Sequence, residues 1–251
     1  MVGHRGLGKG VVDGHRGNSL GSFMAAAEAG ADWVEVDVRR SADDDLFVVH
    51  DEAFDDGVFL ATLPSDEVAR RGALRLADLL DALPGSVGVV FDVKSSVRDA
   101  ERTADRTTAA LLGDLCNRML HGRPAVAHSF DPSALHHLRE ISPMLALGLM
   151  TWFRFPVGLA VAAAAHLDVQ TLAIHSGSLN PGVQTGTRDV PRLPDLVSSL
   201  HSAARELVVW CPPVRRVRKL AAEGVDAMVV DDVARHAARL GRVRAGGRRA
   251  D

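Results

Sequence analysis

Three features of this 251-residue chain predict an α/β fold of the (β/α)8 barrel class. Eight short apolar runs alternate with helix-patterned segments, polar and charged residues gather where those runs end, and the length suits one such barrel. The runner-up is an open doubly wound sheet, which wants a glycine-rich phosphate loop after its first strand. The stretch Gly6-Leu7-Gly8-Lys9-Gly10 lacks the spacing of either common phosphate-loop motif, so the barrel is preferred. The expectation is one barrel domain over 1–251, with a short hairpin and a reduced insertion after the second strand and a basic, frayed tail from about residue 241.

Composition narrows the class. Apolar residues make up 47% and charged residues 24%, as in an ordinary globular protein, while aromatics at 4% with no Tyr point to an interior packed by Ala, Leu and Val. With 29 basic and 32 acidic residues the net charge of −3 offers no global field for nucleic acid. Two cysteines, Cys116 and Cys211, do not make a disulfide framework and fit a reducing compartment. The chain opens Met1-Val2-Gly3-His4 without a charged head and apolar run, and no apolar segment approaches the roughly 20 residues that span a bilayer. A cytoplasmic location is expected; oligomeric state is not readable.

The elements follow in order. Residues 1–4 form a first strand whose tip presents His4 and Arg5. A glycine-rich loop then repeats the tetrapeptide as Gly14-His15-Arg16-Gly17, read as a helix entrance where His15 and Arg16 meet an anion or face water. Asn18 and Ser19 suit a helix N-cap, Leu20, Phe23, Met24 and Ala27 fall at helical spacing, and Gly30 supplies the stop. The second strand, 33–38, reverses at Ala42-Asp43-Asp44-Asp45 into an apolar run that ends in His50-Asp51. Leu76, Leu79, Leu80 and Leu83 mark a helix closed by Pro84-Gly85 before the third strand at 88–94. Strands at 125–129, 145–150, 171–174, 207–210 and 227–230 complete the eight, each followed by a helix pattern or, after the last, by Asp231. Residues 176–191 form a long Gly/Pro/Asn loop, either a lid or plain surface. His136 and His137, and Arg235, Arg239, Arg242, Arg244, Arg248 and Arg249, are expected on the surface.

Two strands carry charge where apolar residues belong. Alternate side chains share a strand face, so Glu35 and Asp37 point one way while Val34, Val36 and Val38 point the other. Burying two carboxylates without a counter-charge costs several kcal/mol or forces protonation, and a hard cation removes both problems. The pair therefore reads as a metal half-site, to which the fold-back brings His50 as a titratable base; the other reading is a hairpin with solvated acids. Asp92 and Lys94 likewise share a face opposite Phe91 and Val93, and would complete and balance such a site.

In chain order, Gly3-His4-Arg5-Gly6, Asn18-Ser19, Glu35-Val36-Asp37, His50-Asp51 and Asp92-Val93-Lys94 resemble the motifs of the glycerophosphodiester phosphodiesterase family of metal-dependent TIM barrels. Ser129-Phe130-Asp131, Val209-Trp210 and the stretch from Gly224-Val225-Asp226 to Asp231 extend the resemblance over nearly the whole chain. The resemblance implies a Mg2+ or Ca2+ ion on Glu35, Asp37 and Asp92, acid and base roles divided between His4 and His50, substrate charge met by Arg5 and Lys94, and a pocket wall at Trp210, which otherwise reads as a core aromatic. The implied substrate is a small phosphodiester, with lysophospholipids and transient contact with a lipid surface as extensions. Three departures stand out. Gly17 replaces the family's Glu in the first loop, Asp92 replaces the more usual Glu, and the insertion is cut to residues 52–74, a smaller cap over the site. In the competing reading the barrel is a non-catalytic phospholipid-headgroup or anion binder. Such a binder needs the cation, Arg5 and Lys94 but no pair of histidines, and both are present. Trp152, Phe153 and Phe155, in the loop after the fifth strand, form either an apolar shelf for an acyl chain or a cap packed on the Ala-rich helix that follows.

Overall fold

The computed structural model describes residues 1–180 and 192–241. Most of the expected lid at 176–191, and Arg242, Arg244, Arg248 and Arg249, lie outside the described residues. Eight parallel strands close on themselves: β1 Val2–Gly3, β2 Trp33–Arg40, β3 Gly88–Val93, β4 Ala125–Ser129, β5 Ala146–Thr151, β6 Thr171–His175, β7 Glu206–Trp210 and β8 Ala227–Val230. Each pairs with the next, and β1 pairs with both β8 and β2. The fold is thus the expected (β/α)8 barrel.

Strand alternation explains how one barrel holds two chemistries. Outward side chains such as Val34, Val36, Val38, Phe91 and Val93 join the main core between strands and helices. Inward, Val2, Val90, Val126, Ala173, Val208 and Val229 form a small apolar plug beside Trp33, Ala146 and Met150. Gly88 is required there: a Cβ would lie 2.3 Å from the Trp33 ring. Above the plug the inward positions become Glu35, Asp37, Asp92 and His128. Asp37 and Asp92 are register partners across β2 and β3, so two carboxylates face each other at one level.

Around the barrel, local sequence rules are obeyed closely. Ser19 caps the helix Leu20–Glu28, its hydroxyl accepting from Ser22 N at 3.2 Å. Asp131 caps Pro132–Ile141 with Pro at the first turn. A final helix, Val233–Leu240, exposes Arg235 and Arg239 as expected; it buries Val233, His236 and Ala237 and ends at Gly241, φ 77°. Among the described residues no helix is long and apolar enough to cross a membrane.

The second tetrapeptide does lie at the helix entrance, where the N-cap Ser19 donates its hydroxyl to Arg16 O at 2.6 Å, but it also forms a strand not foreseen: Val11–Val12 and His15–Arg16 pair as an antiparallel ribbon. Asp13 and Gly14 at its turn both have positive φ, 47° and 80°, the geometry whose twist matches a two-residue hairpin. One expectation is corrected: the segment 52–74 does not cap the site. The strand Leu46–Val48 runs antiparallel to the end of β2, Leu74–Arg75 adds to it, and Phe47, Leu60 and Val68 bury one another in a separate apolar cluster beside the barrel. Its apolar residues are satisfied there, so none of 52–74 lines the large cavity.

Candidate active site

The C-terminal ends of β1 to β3 converge on three acids. Glu35, Asp37 and Asp92 are all buried, and one ligand oxygen from each lies within 4.8 Å of the others. Their surroundings are cationic. Arg5 Nε is 3.1 Å from Asp37 Oδ2, Lys94 Nζ is 2.9 Å from Asp37 Oδ1, and Lys94 also bonds Asp92 Oδ2. Asn18 donates its amide to Asp37 Oδ2 at 2.7 Å, and the Arg5 backbone N–H donates to Glu35 Oε2 at 2.9 Å. Both contacts depend on left-handed backbone at Arg5 (φ 55°) and Asn18 (φ 61°). Asn18 therefore serves the acids rather than the helix cap.

Charge in this cluster is unevenly settled. Burial and then the neighbouring Asp37 push the Glu35 carboxyl up to about 8. Burial alone would also push Asp37 up, but Lys94, Arg5 and His50 hold it below the usual carboxylate range. Burial raises Asp92 despite Lys94. Asp92 Oδ1 is buried without a hydrogen-bond partner among the described residues. An orphaned oxygen, three carboxylates and a reluctant proton together fit a hard divalent cation, which takes oxygen ligands.

Both expected histidines reach the same cavity, of about 730 Å³. His4 Nδ1 bonds Asp231 Oδ1 at 2.6 Å, and its Nε2 lies 3.9 Å from Glu35 Oε2. Burial opposes its charge, yet the bonds to Asp231 and Cys211 and the charge of Glu35 raise its pKa to about 10. His50 is more open, with Nδ1 2.8 Å from Asp51 Oδ1, and burial lowers its pKa. Arg5, Glu35, Asp92, Lys94 and Trp210 line the cavity with these histidines, while fully buried Asp37 sits behind them. His15 is not among the lining residues.

The missing glutamate at Gly17 leaves the first loop ordered by other means. Gly17 N donates to Gly10 O at 2.7 Å, Asn18 N to Arg5 O at 2.9 Å, and Leu7 N to the Ser22 hydroxyl at 2.8 Å. A Cβ at residue 17 would lie 2.9 Å from the Gly8 carbonyl oxygen, so in this chain the loop has closed up around the glycine.

The opposite wall is aromatic. Phe130 stacks on Trp152 with centroids 3.9 Å apart and planes at 14°, Trp210 meets Phe130 edge-on at 6.0 Å, and His175 meets Trp210 at 4.5 Å. Trp152 is 62% exposed and Phe153 48%, whereas Phe155 packs on the core. Of the three loop aromatics only Trp152 lines the cavity. Sequence reasoning assigned no site role to Phe130, His175, Cys211 or Arg39. Arg39 lines the cavity and donates from Nε to the His50 carbonyl at 2.8 Å, fixing the backbone that carries that histidine. Its signal was a second charged residue beside Arg40 inside a strand.

Residues 4–235 match the model of the glycerophosphoryl diester phosphodiesterase family. The chain belongs to this family. It is 20% identical over 248 residues to a glycerophosphodiester phosphodiesterase of Caldanaerobacter subterraneus subsp. tengcongensis, covering 92% of this chain and 93% of that one. Among solved structures it resembles an Oleispira antarctica phosphodiesterase in complex with the product sn-glycerol-3-phosphate, with TM-score 0.77, 20% identity and 96% of each chain covered. A putative glycerophosphodiester phosphodiesterase from Galdieria sulphuraria is similar at TM-score 0.78, again with 20% identity and 96% of each chain covered. In this family of phosphodiester hydrolases a divalent metal is the usual companion of the acids. Here Glu35, Asp37 and Asp92 are the buried carboxylates that could hold such an ion.

Proposed function

We propose that the protein is a metal-dependent phosphodiesterase that hydrolyses glycerophosphodiesters to glycerol 3-phosphate and an alcohol. One observation carries this reading: two histidines, two carboxylates and two cations from the ends of β1, β2 and β3 and from the run after β2 line one cavity of about 730 Å³, a volume suited to a small ligand, with the third carboxylate, Asp37, directly behind them. Glu35, Asp37 and Asp92 hold a Mg2+ or Ca2+ ion, which when bound neutralises charge on the phosphoryl oxygens. Arg5 and Lys94 bind the remaining negative charge; being already tethered to Asp37 they are oriented before substrate arrives. His4 and His50 divide the proton work, one accepting from the attacking hydroxyl and the other donating to the leaving alkoxide. Asp231 and Asp51 each engage Nδ1 of their histidine, which leaves Nε2 of each ring for the substrate. The Trp210 indole N–H is buried and has no partner among the described residues, a donor left for a bound molecule. Phe130 and Trp152 give the alcohol side an apolar face, which extends the substrate range to lysophospholipids, with a lysophosphatidate-type product and brief contact with a lipid surface.

The test is direct. Purified protein with Mg2+ or Ca2+ is assayed on a panel of glycerophosphodiesters and lysophospholipids, reading release of glycerol 3-phosphate or its acylated form. Hydrolysis of at least one glycerophosphodiester is expected, and none across the panel would overturn the reading.

A further inference from the structure

Cys211 stands one residue past the end of β7 in left-handed backbone, φ 50°, a conformation that disfavours a residue with a β-carbon. It is pinned there from both sides: its N–H donates to Val229 O at 2.9 Å, and its carbonyl accepts from the Ser176 hydroxyl at 2.7 Å. The effect is to hold the thiol 3.7 Å from Nδ1 of His4, the same nitrogen that Asp231 engages at 2.6 Å. A thiol, an imidazole and a carboxylate thus meet within 4.8 Å, on the side of His4 away from Glu35.

This donor set differs in kind from the three carboxylates. Oxygen-only sites suit Mg2+ and Ca2+; a mixed sulfur, nitrogen and oxygen set suits Zn2+ and its softer relatives. The geometry is close to what such an ion needs. Tetrahedral Zn2+, with bonds of about 2.0 Å to nitrogen and 2.3 Å to sulfur, holds those two atoms about 3.5 Å apart. The Sγ to Nδ1 distance of 3.7 Å already meets this. The carboxylate oxygen must move out from 2.6 Å to about 3.4 Å, and Asp231, with a side chain 42% exposed, has room to do so.

We propose that Cys211, His4 and Asp231 form a second, soft-metal site whose occupation by Zn2+ arrests the enzyme. Binding replaces the Nδ1 proton and the thiol proton, both released to solvent, with bonds to the metal. The imidazole then keeps its remaining proton on Nε2 and no longer cycles between acid and base. The arrest rests on the proton role given to His4; the binding does not.

The experiment separates the two. The folded protein, saturated with Mg2+, is titrated with Co2+ as a spectroscopic stand-in for Zn2+. A sulfur-to-cobalt charge-transfer band saturating at one equivalent is expected, absent in Cys211→Ser and weakened in Asp231→Asn; Cys116 is buried and offers no competing thiol. In the turnover assay Zn2+ should inhibit, and Cys211→Ser should raise the half-inhibiting concentration by about tenfold or more. Where the variant fails to fold, the wild type suffices: one equivalent of Zn2+ should block maleimide labelling of Cys211, read by mass spectrometry. No thiolate band together with unchanged labelling would overturn the site. A band without inhibition would leave the site standing and remove its effect on His4.

Discussion

The two walls of the cavity are built by opposite means. The charged wall stands on strands: Glu35 and Asp37 on β2, Asp92 on β3, all buried and tied to Arg5, Lys94 and Asn18 by short polar contacts. The aromatic wall stands on strand ends and the loops beyond them, from Phe130 after β4 to Trp210 on β7, and its outermost member, Trp152, is mostly exposed. One wall is fixed in place by the register of the barrel; the other is draped over its rim. Chemistry that needs positions held closely belongs on the first, and recognition of a variable alcohol belongs on the second.

Substitutions sharpen this contrast. The largest effect is expected at Asp37. Asp37→Ala leaves Arg5 and Lys94 beside an empty, buried position, and breaking a buried pair this way costs about 3–5 kcal/mol. Urea unfolding should show that loss alongside lost turnover; an unchanged midpoint would mean that the cations find other partners. His4→Ala and His50→Ala come next. Each should lower kcat by roughly 10²- to 10⁴-fold while substrate binding is largely kept. Full turnover in both would remove His4 and His50 from the proton chemistry. The smallest effect is on the aromatic side. The double variant Trp152→Ala, Phe153→Ala should raise KM several-fold for a lysophospholipid and much less for glycerophosphocholine, consistent with about 1 kcal/mol for a partly exposed aromatic contact. Equal effects on both substrates with a lower Tm would make the loop a packing element instead.

The same contrast decides what was legible in the sequence. Charged residues at inward strand positions are anomalies, so Glu35, Asp37, Asp92 and Lys94 stood out, and alternation alone put each on its observed face. Loop residues carry no such period. Phe130 and Cys211 reach the cavity through chain direction just past the ends of β4 and β7, which only closure of the barrel fixes. The Asp13-Gly14 pair was a readable hairpin signal, masked by the repeated His-Arg-Gly beside it. Asn18 had the right type for a cap, yet one residue of left-handed backbone sends its amide to Asp37. The fate of residues 52–74 rested on Leu60 and Val68 finding Phe47, a tertiary choice that no local pattern records.

The central claim is that Glu35, Asp37 and Asp92 work through a divalent ion, and metal removal tests it most directly. Protein stripped with a chelator and freed of it is assayed on a glycerophosphodiester before and after Mg2+ or Ca2+ is returned. Turnover should collapse in the stripped protein and recover with one equivalent per chain, and it should stay lost in Asp92→Asn under the same addition. Full turnover in the stripped protein would contradict the account.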